Sequence, residues 1–147
     1  MLTEYQKGWI SGIIDTDGCL CFSKHRTTPI KAKRGYTWEP KLQITSTDRN
    51  FLEKIREMIG EGGIRSGTNK PQEHIRVRKH AWSYDLWPNG LRRLLPNIRL
   101  VIKERQRVLL LEALTLLRDH QWGRKSRHDT RLNEIYWEMR SLNGTED

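Results

Sequence analysis

Residues 8–22 read GWISGIIDTDGCLCF. The stretch begins with the character of an apolar helix and ends with the alternation of a strand. Two aspartates, Asp15 and Asp17, stand at the changeover. A carboxylate there gains nothing from burial, and the C-terminal end of a helix repels negative charge. Gly8 and Gly12 lie inside the same helix, where each glycine costs about 1 kcal/mol relative to alanine. Places where a sequence breaks local rules tend to be functional.

Upstream, Thr3 and Gln6 have the spacing of a capping box, which predicts a helix over residues 3–14. Downstream, residues 19–27 alternate as a strand with Leu20 and Phe22 on one side. Residues 36–46, YTWEPKLQITS, form a second strand, in which Pro40 demands a bulge or an edge. Thr47 or Asp48 caps a helix carrying Phe51, Leu52, Ile55, Met58 and Ile59, and Gly60, Gly62 and Gly63 end it. A short strand starts at Gly63, and residues 74–87 read as a long one with a bulge near His80. A short helix follows and stops before Pro96. Residues 102–118 form a strongly apolar helix, and Asp129 caps a last one bearing Leu132, Ile135, Tyr136 and Met139. The order α-β-β-α-β-β-α-α-α predicts a mixed α/β (α+β) domain on four antiparallel strands.

The chain has 147 residues, enough for one domain to bury roughly 70% of its unfolded surface. Its 27 Lys and Arg against 18 Asp and Glu give a net charge of +9, which points to a polyanion, nucleic acid above all. Cys19 and Cys21 are too few for a disulfide framework and too close for a comfortable bridge, as expected of a reducing, intracellular compartment. No apolar run approaches the ~20 residues that cross a bilayer, so no membrane partner is expected.

On a helix Gly8, Ser11, Gly12 and Asp15 fall on one stripe, and three of the four are small. Such a stripe lets another backbone approach, either the helix's own sheet or the same helix of a second chain; composition does not choose between them. Paired helices would bring two Asp17 carboxylates together, and a divalent cation would relieve their repulsion. Asp17 also suits a plain Asp-Gly turn before Gly18. Asp15 is expected to be structural, and Asp17, just past the helix end, chemical.

Residues 9–18, WISGIIDTDG, resemble the signature of the LAGLIDADG homing endonucleases. Residues 10–18 match it position for position, with conservative changes and with both acids and both glycines in place. The order of elements over residues 3–118 is similar to that family's αββαββα core, with a curved four-stranded antiparallel sheet. Residues 119–142 would be a C-terminal helical extension of the same single domain. Only one copy of the motif is present, and single-motif members act as homodimers.

The resemblance implies a site-specific, metal-dependent double-strand DNA endonuclease acting on a long pseudo-palindromic site. Asp17 and the Gly18 carbonyl would be metal ligands. Asp17, Gln43 and Lys103 would be catalytic, the latter two holding water at the scissile phosphates, with Arg105 an alternative to Lys103. Mg²⁺ is the expected cofactor; Mn²⁺ would substitute, and Ca²⁺ would support binding without cleavage. A curved sheet in the major groove presents alternate side chains to base edges. Cys19, Cys21, Ser23, His25 and Thr27 share that face, and Arg65, Arg76 and Arg78 are candidates for guanine or phosphate. Two other functions fit the same surface: an intron-RNA-binding splicing cofactor and a noncatalytic DNA-binding regulator.

Overall fold

The computed structural model describes residues 1–26, 36–67, 80–118 and 128–144. Helix α1 spans Glu4–Thr16 and has the full capping box: Thr3 Oγ1 accepts from the Gln6 amide, and Gln6 Oε1 accepts from the Thr3 amide. It runs two residues past the predicted end because Asp17 closes it, its amide donating to the Ile13 carbonyl at 2.8 Å. Strands β1 (Gly18–Arg26) and β2 (Tyr36–Ser46) follow, then α2 (Arg49–Ile59). Asp48 is the α2 N-cap, and Gly60 ends the helix at φ 88°, a left-handed geometry that glycine adopts without steric cost. After β3 (Gly63–Ser66) and β4 (Trp82–Leu86) come α3 (Pro88–Leu94), a 3₁₀ turn (Leu95–Asn97), α4 (Glu104–Leu116) and α5 (Asp129–Leu142).

The strands make one antiparallel sheet in the order β1-β2-β4-β3. β1 and β2 pair without a bulge, Gly18 opposite Ile44 and Arg26 opposite Tyr36. β4 flanks β2 only along Leu42–Ser46, so Pro40 sits where β2 has β1 as its sole described neighbour, and its missing N–H breaks no described ladder. One face carries Leu20, Phe22, Trp38, Leu42, Ile44, Tyr84 and Leu86, all buried. The helices cover it with Ile10, Ile14, Leu52, Ile55, Leu91, Leu109, Leu110, Leu114, Leu132 and Ile135, also buried, giving a two-layer α/β domain with a single core. Among the described residues no helix is long and apolar enough to cross a membrane.

Two further boundaries depart from expectation. The long helix starts at Glu104, not residue 102, because the amides of residues 101–103 bond to Asp15 rather than to a helix turn. His128, not Asp129, is the cap position of α5, and the Asp129 carboxylate instead accepts from Trp38 Nε1 at 3.1 Å. The short helix ends at Leu94, before Pro96, as expected, and a 3₁₀ turn that needs no amide at the proline carries the chain onward. The first half of the predicted fourth strand, residues 74–79, lies outside the described residues.

Candidate active site

The apolar side of α1 is spent on the core through Ile10 and Ile14. Its other side carries Gly8 and Gly12, both exposed, and a Cβ added to either would meet no atom within 4 Å. The stripe therefore does not pack on the helix's own sheet. Ser11 Oγ donates back to the Lys7 carbonyl, while Tyr5, on the same side, is 79% exposed.

At the foot of α1 the two aspartates separate. Asp15 turns to its own chain. Its carboxylate accepts from the amides of Val101 (2.7 Å), Ile102 (3.2 Å) and Lys103 (3.0 Å), pinning the loop before α4 to the end of α1. This charge is thus consumed by three N–H donors, in keeping with a structural role. Asp17 is exposed, and among the described residues its carboxylate makes no hydrogen bond or ion pair. It stays at the negative end of the helix, where a carboxylate is disfavoured.

Gly18 is required by close approach. A Cβ there would lie 2.8 Å from Ile14 Cα, so only glycine lets β1 leave so tightly against α1. The clamp on residues 101–103 delivers Lys103 to this turn. Its Nζ donates to the carbonyls of Ile14 (3.0 Å) and Gly18 (2.5 Å). Arg105, the alternative to Lys103, instead pairs with Glu138. Lys103 and Gly18 therefore meet, and Asp17 is the adjacent residue.

The loop is braced from its other side by Glu104, whose Oε2 accepts from the Leu100 amide at 2.8 Å and from Arg107 Nε at 2.8 Å. Arg107 is buried and also donates to the Leu95 carbonyl. The Arg107 guanidinium, together with the Leu100 amide, holds the Glu104 carboxyl down at about 2. A depressed carboxyl stabilises the fold above its unfolded value of about 4.3, and the contribution fades as pH falls toward 2. Glu104→Gln is therefore expected to flatten the acid limb of a Tm-against-pH profile below about pH 4.3. An unchanged acid limb would remove Glu104 as the brace.

Gln43 lies opposite Cys19 on β1 and Asp85 on β4, and its Nε2 donates to Ser83 Oγ at 3.0 Å. It occupies the sheet face away from the core, one strand over from the Asp17–Gly18 turn. Cys19, Cys21, Ser23 and His25 share that face on β1, and Arg65 lies on it in β3. The Cys19 and Cys21 sulfurs are 2.8 Å apart. That contact, with Lys103 and Lys41 nearby, lowers the Cys19 thiol to about 7 and raises its partner. His25 Nε2 lies 3.4 Å from Glu39 Oε2. Thr27, Arg76 and Arg78 lie outside the described residues. Sequence reading passed over Asp85, which is buried on this face and paired with Arg65. The signal was its place in WSYDL, two residues from Ser83 and out of phase with Tyr84 and Leu86.

The free Asp17 carboxylate is a hard oxygen donor of the kind a divalent cation takes, and the Gly18 carbonyl could join it with Lys103 Nζ turned away. No group of three or more His, Cys, Asp or Glu that could hold a metal occurs among the described residues.

The sequence matches no curated relative. Several solved structures share the fold. An archaeal intron-encoded homing endonuclease, I-Vdi141I, complexed with DNA, superposes with a TM-score of 0.69 at 20% identity, covering 95% of this chain and 84% of that one. The group I intron-encoded I-CeuI, also with DNA, gives 0.76 at 15% identity, covering 100% and 72%. The homing endonuclease I-CvuI, in a complex formed in 2 mM Mg with the DNA not cleaved, gives 0.66 at 18%, covering 98% and 83%. The family model of the LAGLIDADG endonuclease matches residues 10–86, from the α1 motif through the end of β4. The chain belongs to the LAGLIDADG endonuclease family.

Proposed function

We propose that this protein is a site-specific DNA endonuclease that hydrolyses both strands of a duplex as a homodimer. The observation that carries the reading is the convergence at the end of α1. Asp15 fixes the 101–103 loop, the loop delivers Lys103 to the Gly18 carbonyl, and the neighbouring Asp17 carboxylate is left free. A fold gains nothing from holding a free carboxylate at a helix C-terminus beside a basic residue that ignores it. A reaction on a phosphodiester uses both.

Asp17 and the Gly18 carbonyl would hold a divalent cation, Mg²⁺ foremost. When bound it supplies an activated water and neutralises charge on the leaving oxygen. The chain's own residues do the rest. Lys103 presents an ammonium at the turn, where a phosphate oxygen would gain charge. Gln43, with its amide nitrogen held by Ser83, keeps its carbonyl oxygen available to orient water. The open sheet face supplies groove contacts through alternate residues of β1 and β2, and the net charge of +9 draws in the duplex.

The homodimer reading is supported by α1. Gly8 and Gly12 face open space, flanked by exposed Tyr5 on the helix and by exposed Val101 and Ile102 in the loop that Asp15 holds. Pairing through this surface would bring two Asp17 together and supply the donors that one chain lacks.

Selection from a randomised duplex library in Ca²⁺, followed by addition of Mg²⁺, tests the proposal. The expected result is a near-palindromic pool cut once on each strand. Enrichment without cutting would instead establish a DNA-binding regulator. An absence of enriched DNA would overturn the reading and direct the test to intron RNA.

A further inference from the structure

The groove-facing side of the sheet contains a carboxylate that the cleavage chemistry does not use. Asp85 is only 4% exposed. It lies on β4 between Gln43 of β2 and Gly63 of β3. Its Oδ2 accepts from Arg65 Nε at 2.6 Å, while its buried Oδ1 has no hydrogen-bond partner among the described residues. A buried carboxylate with an unpaired oxygen is unfavourable for folding. Facing a polyanion, it is unfavourable for binding strength as well. What it does supply is geometry. Arg65 stands on the edge strand β3 with its side chain 57% exposed, and its Nε is tied to a buried carboxylate on the neighbouring strand. The two Nη groups make no hydrogen bond among the described residues. The guanidinium therefore presents a fixed pair of donors outward from the sheet.

We propose that Asp85 is a specificity-positioning residue, holding Arg65 so that its Nη edge meets the paired acceptors of one guanine in the bound duplex. The inference rests on the DNA-reading function proposed above. Guanine O6 and N7 match a planar fork bidentately. A phosphate also accepts the fork bidentately, but every nucleotide offers the same phosphate, so such a contact positions the duplex without selecting a base. A buried carboxylate that orients one arginine at the cost of attraction is what base reading requires.

The test compares duplex pools selected in Ca²⁺ by the wild-type chain, Asp85→Asn and Arg65→Lys. Asparagine keeps the shape and removes the charge; lysine keeps the charge and removes the fork. The wild-type pool is expected to hold a guanine preference of about tenfold or more at one position per recognised half. Both variants should bring that position close to random and leave the other positions unchanged. A merely structural β3–β4 ion pair would shift Tm and leave the base preference intact, which would overturn the proposal. It would equally fall if both variants weakened binding uniformly while Arg65→Ala reduced the salt slope by about one, the mark of a phosphate contact. A wild-type pool with no enrichment would remove the DNA reading itself, and this inference with it. An Asp85→Asn pool that alone keeps the guanine would remove only the inference.

Discussion

Asp17→Asn is expected to abolish cleavage and keep DNA binding. On the proposed function, metal ligation by the carboxylate would contribute several kcal/mol to the transition state, so the loss should be on the order of 10³-fold or more in the cleavage rate. The structure also sets the sign of the change in stability. The Asp17 side chain is exposed and makes no contact among the described residues that asparagine would break. Its amide, which closes α1 on Ile13, belongs to the backbone and survives the substitution. Removing a negative charge from a helix C-terminus relieves about 0.3–1 kcal/mol of repulsion. The variant should therefore be inactive with a Tm equal to or slightly above that of wild type, and should hold DNA at least as well. Cleavage at the wild-type rate would sink the assignment. Inactivity accompanied by a fallen Tm would mean that Asp17 is a fold residue.

Asp15 should behave in the opposite way. Its carboxylate receives three amides of the 101–103 loop, so Asp15→Asn would loosen the fold and displace Lys103 together. Two acids two residues apart thus differ in what they cost. That Asp15 would turn to its own fold while Asp17 stood past the helix end was legible from helix phase; the chemical role given to Asp17 rests on the proposed function. The donors that hold Asp15 were not legible, because they lie 86 to 88 residues away.

The same division runs through the fold. Elements whose signals are local were readable. The α1 capping box, the alternation of β1 and β2 and the Asp48 cap of α2 each appear where the residues place them. Readings failed where a partner distant in sequence competed for a backbone amide or a side chain. The start of α4 moved because Asp15 takes its preceding amides, and the α5 cap moved because Trp38 takes the Asp129 carboxylate. Asp85 was missed for the same reason. Nothing in WSYDL states that the acid faces an arginine 20 residues upstream, on the neighbouring strand. Gln43 and Lys103 came only from resemblance. The structure supplies the contacts that sequence could not, with Ser83 holding one and the Gly18 carbonyl receiving the other.

Gly12→Leu separates the two accounts of the small-residue stripe by opposite signs. Within one chain the substitution is favourable. Nothing lies within 4 Å of an added Cβ, and leucine improves helix propensity over glycine by about 0.8–1 kcal/mol. The isolated chain should therefore unfold at the same Tm or a higher one. In a dimer packed through α1 the same side chain intrudes twice, once from each protomer, because a two-fold interface repeats every contact. Overpacking costs about 1–3 kcal/mol per site, so the dimer should weaken by roughly 2–6 kcal/mol, about 30-fold to 10⁴-fold in dissociation constant. Double-strand cleavage should fall in step, since the Asp17 pair comes apart. Sedimentation velocity beside a cleavage assay reads both quantities. A variant that keeps the wild-type mass and cuts normally would exclude α1 as the interface. A wild-type protein that sediments as a monomer on its cleaved site would exclude the dimer, and the donors missing from one chain would then have to come from the DNA alone.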